Sequence, residues 1–504
     1  MYPTVLLFQC RESVVKTKSL SRYRAINNPH FDTNKFKNNP HFDTKFCIFN
    51  PKFNTNHPMF KREILLELNK WKDKTFRKPL VIRGARQVGK TTAIHLFSKQ
   101  FDQYIYLNLE KAEEREIFEQ AYPFSDLITY LFIYAGKKRN GGSTLIFIDE
   151  IQNSPKTVAL LRYFYEEASD LYVVTAGSLL ESILDRKISF PVGRVEYMAI
   201  HPCSFKEFLY ATDQEPLANE LEKAEVPSFL HNRLIALFKK YATLGGMPEV
   251  LKHYASGVDI SSLASVYDSL IQSFSDDVEK YATSSSQAQY IRHVISNAFA
   301  EGGTRISFEK FGNSDYRSRE MKEAFRALEK TMLIRLVYPT TSIEIPSTPA
   351  LTRKPRLHVL DTGLINHVRG LVGDLVFNEI ISDTHRGIIA EHITGQELLA
   401  SKFSISNALN FWVRTKKGSN AEIDYIIQHK GQLIPVEVKA GAIGKLRSLH
   451  QFMDQSPGKI SVRVYQGPYL VQEAITIAGK KFTLLNLPFY LVHRIEQELD
   501  KIMD

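Results

Sequence analysis

Nine consecutive residues have the types and spacing of a phosphate-binding loop. Glycines at its two corners let the backbone turn with its N–H groups directed inward. The lysine neutralises the β- and γ-phosphates, and the threonine that follows offers its hydroxyl to Mg²⁺. The spacing therefore predicts a site for ATP with Mg²⁺, and the alternative is a chance match in a turn. The residues are Gly84, Ala85, Arg86, Gln87, Val88, Gly89, Lys90, Thr91 and Thr92.

A pair of acids supplies the second half of such a site. Asp149 and Glu150 follow the apolar run 144–148, which predicts a strand buried on both faces of a parallel sheet. Ligands of such sheets bind at the carboxyl ends of the strands. We expect Asp149 to hold Mg²⁺ and Glu150 to polarise the attacking water. The alternative is a solvated strand end, which accounts for one acid more readily than for two.

The elements around these residues alternate between strands and helices. Residues 79–83 predict a strand before the loop, and residues 93–97 predict a helix after it. Residues 104–109 and 171–176 predict two more strands, and the second leads to Ser178, whose hydroxyl could sense the γ-phosphate. This alternation predicts an α/β fold with a doubly wound parallel sheet.

A second set of charged residues lies near the C-terminus. Residues 421–428 and 433–439 predict two strands, joined by a hairpin turn at 430–431. In that register, the two-residue period of a strand places four charged side chains on one face. Those residues are Glu422 opposite Lys439, and Asp424 opposite Glu437.

This charged face would suit metal-assisted cleavage of a phosphodiester. Asp424 and Glu437 would bind Mg²⁺, which lowers the pKa of bound water. Lys439 would position that water or stabilise the developing anion. The alternative is a set of cross-strand ion pairs with no catalytic role.

Length and composition narrow the class of protein. A chain of 504 residues predicts two or three domains. No apolar run reaches the roughly 18 residues of a membrane span, and three scattered cysteines form no metal or disulfide pattern.

Residues 1–58 hold nine Lys/Arg against three acids, so most of the net charge of +10 lies there. We expect that segment to be disordered, or Met59 to be the true start, and the location to be cytoplasmic.

The middle of the chain predicts helices and then a smaller unit. Residues 228–282 have helical periodicity typical of a lid beside the sheet, and residues 291–339 predict a winged-helix unit. Its long helix would span 321–332, with Ala324, Phe325 and Leu328 inward. Basic residues could meet phosphates there, or form a solvated face. They are Lys310, Arg317, Arg319, Lys322 and Arg326.

From residue 59 onward the chain resembles the prokaryotic AAA-type ATPases that carry a C-terminal domain of unknown function related to PD-(D/E)xK nucleases. The resemblance implies an AAA-type domain at 59–225, a helical lid and winged helix at 226–345, and a restriction-endonuclease-like α/β domain at 346–504. It rests on the loop at 84–92 and on residues 148–152, 175–178, 192–194, 202–208, 245–249, 360–364 and 422–439.

The resemblance also implies roles for single residues. Ser178 would be the sensor of its strand. Arg194 is an arginine-finger candidate, for its own ATP or for that of a neighbouring subunit, although a structural arginine is an equal alternative. Glu391, on a helix before the hairpin, would add an acid to the metal set, whereas Glu397 on that helix would face elsewhere.

These observations lead to one preferred function and two alternatives. We expect an ATPase whose nucleotide state repositions a nuclease-like domain, with DNA as the candidate substrate. Alternatively, the chain is a non-cleaving ATP-dependent switch for a protein partner. It could also be a slow ATP-binding sensor with a C-terminal scaffold. The oligomeric state is left open.

Overall fold

The computed structural model describes residues 60–177, 190–280, 282–372, 383–406, 408–415, 421–441 and 446–503. The predicted extension 1–58 and the predicted sensor Ser178 lie outside these residues. All the described residues belong to one compact unit, His57–Asp504. Within the described ranges, no helix combines the length and the hydropathy needed to cross a membrane.

A five-stranded parallel sheet carries the predicted phosphate loop. Its strands are β1 Leu80–Arg83, β2 Gln103–Asn108, β3 Thr144–Asp149, β4 Tyr172–Gly177 and β5 Glu196–Ala199. They lie in the order β2-β3-β4-β1-β5, and every pairing is parallel. All residues of β3 are buried, so the predicted strand with two covered faces is confirmed.

Helices cover both faces of this sheet. Leu145 and Phe147 join one apolar core, whereas Ile146 and Ile148 join the other, because successive side chains of β3 point in opposite directions. Two of the helices that pack in the first core are α1 Ile64–Lys72 and α2 Lys90–Phe97. Three pack in the second, α3 Ala112–Glu119, α4 Phe124–Tyr134 and α5 Pro155–Glu167.

A series of helices follows the sheet. They are α6 Phe205–Ala211, α7 Glu215–Glu220, α8 His231–Leu244, α9 Pro248–Ala255, α10 Ala264–Asp276, α11 Ser285–Ala298 and α12 Ser318–Lys330. The predicted helical character of 228–282 is confirmed by α8, α9 and α10. Helix α12 begins three residues before its predicted start, because the Arg317 N–H donates to the Glu320 carboxylate at 2.8 Å. Ala324, Phe325 and Leu328 are buried as expected.

A short β-ribbon follows α12. Strands β6 Ile334–Val337 and β8 Arg356–Val359 pair in the antiparallel direction, and Arg305 forms a further antiparallel bridge to Arg356. The order of helices and strands agrees with the predicted winged helix, which stays a prediction. The ribbon places Arg356 beside the C-terminal region.

The C-terminal region contains two more sheets. Strands β7 Pro339–Thr340, β9 Phe411–Val413 and β10 Glu422–Ile423 lie in the order β10-β9-β7. A mixed sheet has the order β11-β12-β13-β15-β14, formed by β11 Tyr425–His429, β12 Gln432–Val438, β13 Ile460–Tyr465, β14 Leu470–Ile475 and β15 Lys481–Pro488. The helices are α13 Thr362–Val368, α14 Asp383–Ala400, α15 Arg447–Gln455 and α16 Ile495–Met503.

The predicted hairpin register is confirmed, but the predicted first strand is not continuous. Tyr425 pairs with Val436, and Lys430 and Gly431 form the turn with φ of 40° and 76°. The prediction of one strand over 421–428 was wrong, because β10 pairs with β9 whereas β11 pairs with β12. Asp424 lies at the break, where its Oδ2 accepts from the Val438 N–H at 2.8 Å.

Two motifs distant in sequence meet at the buried Asp361. Its carboxylate accepts from the N–H groups of Gly246 at 2.5 Å and Gly363 at 2.9 Å. A Cβ atom on Gly245 would lie 2.0 Å from Asp361 Oδ1, so only glycine fits there. We conclude that the segments 245–249 and 360–364 hold α8 against α13.

Candidate functional site

The predicted phosphate loop connects β1 to α2, with a strand before it and a helix after it as expected. Gln87 and Gly89 have φ of 64° and 91°, which directs the backbone through a tight turn. A Cβ atom on Gly84 would lie 2.6 Å from the Ile200 carbonyl oxygen. Glycine is therefore required where this loop passes the end of β5.

Lys90 and Thr91 are held at the start of α2. The Lys90 ammonium donates to the carbonyl oxygens of Gly84 at 3.0 Å and Ala85 at 2.9 Å. Burial lowers the pKa of Lys90, and the charges of Glu150 and Asp149 oppose that shift. The Thr91 hydroxyl donates to Asp149 Oδ2 at 2.6 Å. The structure thus joins the two predicted halves of the site.

Asp149 and Glu150 lie where β3 ends. Burial raises the pKa of Asp149 to about 6, while the hydrogen bond from Thr91 opposes the shift. Glu150 turns out of the strand with a φ of 53°, and its N–H donates to Asp149 Oδ1 at 3.0 Å. The Gln152 amide donates to the Glu150 carboxylate. The sequence did not predict this contact.

The residues present fit Mg²⁺ and a triphosphate. A hydroxyl and a carboxylate oxygen are the hard ligands that Mg²⁺ prefers, and such sites keep open positions for phosphate oxygens and water. The first turn of α2 presents backbone N–H groups to an anion. Thr91 and Asp149 would hold the metal, and the loop with Lys90 would hold the phosphates.

Two side chains of the loop reach the predicted lid. Arg86 forms an ion pair with Asp277, which follows α10. The Ser273 hydroxyl donates to Gln87 Oε1 at 3.3 Å. The loop is thus tied to the helical region through the side chains of Arg86 and Gln87.

A buried arginine before α1 hydrogen-bonds to the loop. Arg62 precedes α1, and its guanidinium donates to the carbonyl oxygens of Val88 at 2.9 Å and His201 at 3.0 Å. Arg62 Nε also lies 2.9 Å from Glu207 Oε1. Arg62 was not predicted as a site residue, because nothing in its local sequence pattern indicates these distant partners.

Arg194 is far from the loop of its own chain. It precedes β5, and Glu196 at the start of β5 pairs with Leu80 at the start of β1. Arg194 therefore lies at the amino edge of the sheet, about 13 Å of strand away from the carboxyl edge where the loop begins. Its Nε lies 3.1 Å from Glu166 Oε1 on α5, and its side chain is 44% exposed.

The second predicted site contains an arginine among its acids. Arg356 Nη1 lies 3.2 Å from Glu391 Oε2, and Nη2 lies 2.5 Å from Glu422 Oε1 and 3.7 Å from Asp424 Oδ1. Arg305 adds a second contact to Glu422 at 3.2 Å. The predicted placement of Glu422 opposite Lys439 in the hairpin was wrong, because Glu422 lies on β10 and pairs with Val413 on β9. Its carboxylate contacts the two arginines instead.

Two carboxyl groups of this site are strongly perturbed. Burial raises the pKa of Glu391 to about 8, the charge of Asp424 adds to the shift, and Arg356 opposes it. Burial and Asp424 likewise raise the pKa of Glu437 to about 8, against the charge of Lys439. Lys439 Nζ lies 2.6 Å from Glu437 Oε1, while Glu437 Oε2 is buried without a hydrogen-bond partner in the described part of the chain.

The predicted metal set does not form a metal cage. Nowhere in the described ranges do three His, Cys, Asp or Glu side chains converge as ligands for a metal ion. The guanidinium of Arg356 lies next to Glu391 and Asp424, and the nearest cation to Glu437 is Lys439. All three acids of the predicted metal set thus lie against cations of the chain itself.

Glu397 faces elsewhere on α14, as predicted. Its Oε1 accepts from the Tyr241 hydroxyl at 2.8 Å and from the Phe205 N–H at 2.9 Å. Burial raises the pKa of Glu397 to about 8, and these two hydrogen bonds oppose the shift. Helix α14 thus joins the acidic site, through Glu391, to the start of α6 and to α8, through Glu397.

Three segments of the chain match known sequence families. Residues 76–209 match a family described as an AAA domain. Residues 235–374 and 386–490 match two domains of unknown function, DUF8612 and DUF4143. An uncharacterized protein of Haemophilus influenzae is 23% identical over 395 residues, which cover 75% of this chain and 86% of that protein.

Solved structures of low identity also resemble the chain. The Walker-type ATPase paby2304 of Pyrococcus abyssi is 14% identical with a TM-score of 0.40, over 62% of this chain and 96% of that chain. The Orc1 protein of Aeropyrum pernix, in complex with DNA, is 15% identical with a TM-score of 0.28, over 63% and 93%. The family match at 76–209, together with the parallel sheet and its loop, identifies this part of the chain as a P-loop AAA domain.

Proposed function

We propose that this protein binds ATP with Mg²⁺ and hydrolyses the nucleotide. The observation that carries the proposal is the 2.6 Å hydrogen bond between Thr91 Oγ1 and Asp149 Oδ2, the two candidate metal ligands. Mg²⁺ bound there would neutralise charge on the phosphate oxygens. Lys90 binds the β- and γ-phosphates, and Glu150, oriented by Gln152, polarises the attacking water.

Phosphate release by purified protein tests this proposal. Glu150→Gln keeps the shape of the side chain but removes its basicity, so we expect ATP binding without turnover. Glu116→Gln, on the exposed side of α3, is the matched control and should keep wild-type turnover. Unchanged turnover in Glu150→Gln would remove Glu150 from the mechanism.

We further propose that Arg194 acts on the ATP of a neighbouring subunit. Its position at the amino edge of the sheet is too far from the loop of the same chain, and its exposed guanidinium can reach a partner. Ser178 keeps its proposed role as the γ-phosphate sensor. Both roles require an oligomer or a nucleotide-bound state.

Mixing two inactive variants tests the role of Arg194. Arg194→Ala supplies an intact loop and catalytic acid, and Glu150→Gln supplies an intact Arg194. If Arg194 acts between subunits, the mixture regains turnover that neither variant has alone. A mixture as inactive as its components contradicts the proposal.

We propose that nucleotide state reaches the C-terminal region through buried polar contacts. Arg62 connects the Val88 carbonyl to Glu207, and Glu207 caps the start of α6, where the Phe205 N–H donates to Glu397 on α14. Hydrogen exchange across α14 with and without ATP tests this route. We expect an ATP-dependent change in wild type that Glu397→Gln reduces, and no change in wild type would contradict it.

For the C-terminal region we propose a non-cleaving switch that responds to ATP. The specific observation in favour is Arg356, whose guanidinium lies 3.2 Å from Glu391 and 3.7 Å from Asp424, two of the acids that a cleaving site would use to bind metal. We keep the three proposed domains, which are the AAA-type domain at 59–225, the lid and winged helix at 226–345 and the C-terminal domain at 346–504. The partner of this switch is either a protein or DNA, and the plasmid experiment below distinguishes these two kinds of partner.

Plasmid incubated with Mg²⁺, with and without ATP, tests this second proposal. We expect intact plasmid with wild type and with Glu437→Ala. ATP turnover stimulated by the plasmid would identify DNA as the partner, and no stimulation would favour a protein partner. Cleavage by wild type that is lost in Glu437→Ala would contradict the non-cleaving switch.

A further inference from the structure

The mixed sheet of the C-terminal region has two edge strands, β11 and β14. The outer side of β11 continues into the segment before β9, because the Ile426 N–H donates to the Asn410 carbonyl oxygen at 2.8 Å. Among the described strands, β14 pairs only with β15, so its other side is open. We call this side of β14 the open edge.

Three residues of β14 direct their backbone groups toward the open edge. The Thr483 N–H of β15 lies opposite Glu473, but it donates to the Lys459 carbonyl oxygen at 2.7 Å, away from β14. The backbone groups of Glu473 therefore point away from β15. Because this direction alternates along an antiparallel strand, the N–H and C=O groups of Val471 and Ile475 also lie at the open edge.

The side chains of β14 give the open edge little protection. Leu470, Val471 and Ile475 are the large apolar residues of the strand, and all three are exposed, Ile475 by 58%. Edge strands are commonly protected by proline, by lysine or by a bulge. Strand β14 has neither proline nor lysine, its one charged residue is Glu473, and its pairing with β15 is regular. Such a strand is a template for pairing with another strand.

The pattern of β14 matches a second copy of itself. When two identical strands pair in the antiparallel direction about a two-fold axis, residues of the same face lie opposite each other. With Glu473 on the axis, Val471 of each copy lies opposite Ile475 of the other copy. The N–H groups at one open edge then meet the C=O groups at the other. The apolar residues are matched, at the cost of two Glu473 side chains that face each other.

We propose that two copies of this chain associate through β14, which joins their five-stranded mixed sheets into one continuous sheet. One short strand per copy makes a small interface, and small interfaces are weak. We therefore expect a dissociation constant of about 10 µM. The association requires neither nucleotide nor Arg194, so it does not depend on the proposed ATPase cycle.

Sedimentation equilibrium of the full chain without nucleotide tests this association. We expect a monomer–dimer equilibrium between about 1 and 100 µM protein. Glu473→Pro removes an N–H group at the open edge that does not donate to β15, so the variant keeps the pairing with β15. Ile475→Lys places a charge opposite Val471. Each variant should weaken the dimer by about tenfold or more.

The matched control is Ile133→Lys, which replaces a 71% exposed residue of α4. It introduces the same charge at an exposed apolar position outside β14, so it should dimerise like wild type. The circular dichroism spectra of all three variants should equal that of wild type.

A charge exchange tests the position of the two-fold axis. Glu473→Lys alone keeps like charges opposite each other, so its dimer should be no stronger than that of wild type. An equal mixture of Glu473→Lys and wild type places lysine opposite glutamate, and we expect it to dimerise about threefold or more tightly than either protein alone. Equal dissociation constants for the mixture and its components would contradict this pairing.

Three further results would overturn the proposal. The first is a chain that stays monomeric at about 100 µM. The second is dimerisation of Glu473→Pro and Ile475→Lys that is as strong as that of Ile133→Lys. The third is slow deuterium uptake at 470–476 that does not change with protein concentration, which would mean that the open edge is covered within a single chain.

Discussion

Arg356 and Glu391 form an ion pair, with 3.2 Å between Arg356 Nη1 and Glu391 Oε2. The arginine comes from the β-ribbon after α12, and the glutamate comes from helix α14. Arg356 also contacts Glu422 and Asp424, so one guanidinium forms ion pairs with three carboxyl groups. The chain itself thus supplies the cation among these acids.

Removal of this arginine should destabilise the fold in a pH-dependent way. Arg356→Met leaves buried acids without their cation, which costs about 3–5 kcal/mol when they are charged. The pKa of Glu391, already raised to about 8, should rise further in the variant. A raised carboxyl pKa favours folding at low pH and loses that contribution as pH rises. We therefore expect Arg356→Met to lose little unfolding free energy near about pH 6 and much more near about pH 9, relative to wild type.

Urea unfolding followed by the fluorescence of Trp71 and Trp412 measures this effect. Arg305→Gln is the matched control, because Arg305 contacts Glu422 but is 40% exposed. That exposed pair should contribute about 1 kcal/mol or less. Equal losses for the two variants, or a loss of stability in Arg356→Met that does not grow with pH, would contradict the role given to Arg356.

Sequence reasoning succeeded where the partners are close along the chain. Lys90 and Thr91 follow Gly84 within one turn of loop, and Asp424 and Glu437 are joined by a hairpin of predictable register. It also succeeded for the distant pair Thr91 and Asp149, because each residue belongs to a recognisable motif. It failed where distant partners belong to no such motif. Arg356 is 66 residues from Glu422, and Arg62 is 26 residues from Val88, and no local period connects such pairs.

The buried Glu397 predicts a second pH dependence. Its pKa is raised to about 8 by burial, so its contribution favours folding at low pH and is lost as pH rises to that value. Glu397→Gln cannot ionise and keeps an acceptor for Tyr241 and Phe205. We expect the variant to gain unfolding free energy relative to wild type by up to about 1.4 kcal/mol per pH unit between the unfolded and folded pKa values.

Parallel urea titrations from about pH 5 to about pH 8.5 check this prediction. Glu473→Gln, on the exposed strand β14, serves as the control and should follow wild type throughout. A difference between Glu397→Gln and wild type that stays constant over this range would show that Glu397 does not titrate there.

The ion pair between Arg86 and Asp277 predicts the behaviour of the lid. Asp277→Asn removes the charge that ties the loop to the region after α10. Because Arg86 is 40% exposed, the pair is worth about 1 kcal/mol or less. We expect a fluorescent ATP analogue to dissociate about two- to fivefold faster from the variant, measured by stopped flow.

The neighbouring acid provides the control for the lid. Asp276 accepts from the Gln272 amide at 2.7 Å, whereas the loop residues Arg86 and Gln87 contact Asp277 and Ser273. Asp276→Asn should therefore release the analogue at the wild-type rate. Slower release from Asp277→Asn would instead mean that Asp277 holds Arg86 away from the nucleotide.

Calorimetric titration of ATP with Mg²⁺ into the folded chain tests the central claim most directly. The loop with Lys90 at its end, beside the bonded pair Thr91 and Asp149, predicts saturable heat with one nucleotide per chain. Lys90→Ala should abolish that heat while its circular dichroism spectrum stays that of the wild type. Absence of heat with wild type, or equal heat with Lys90→Ala, would contradict the account.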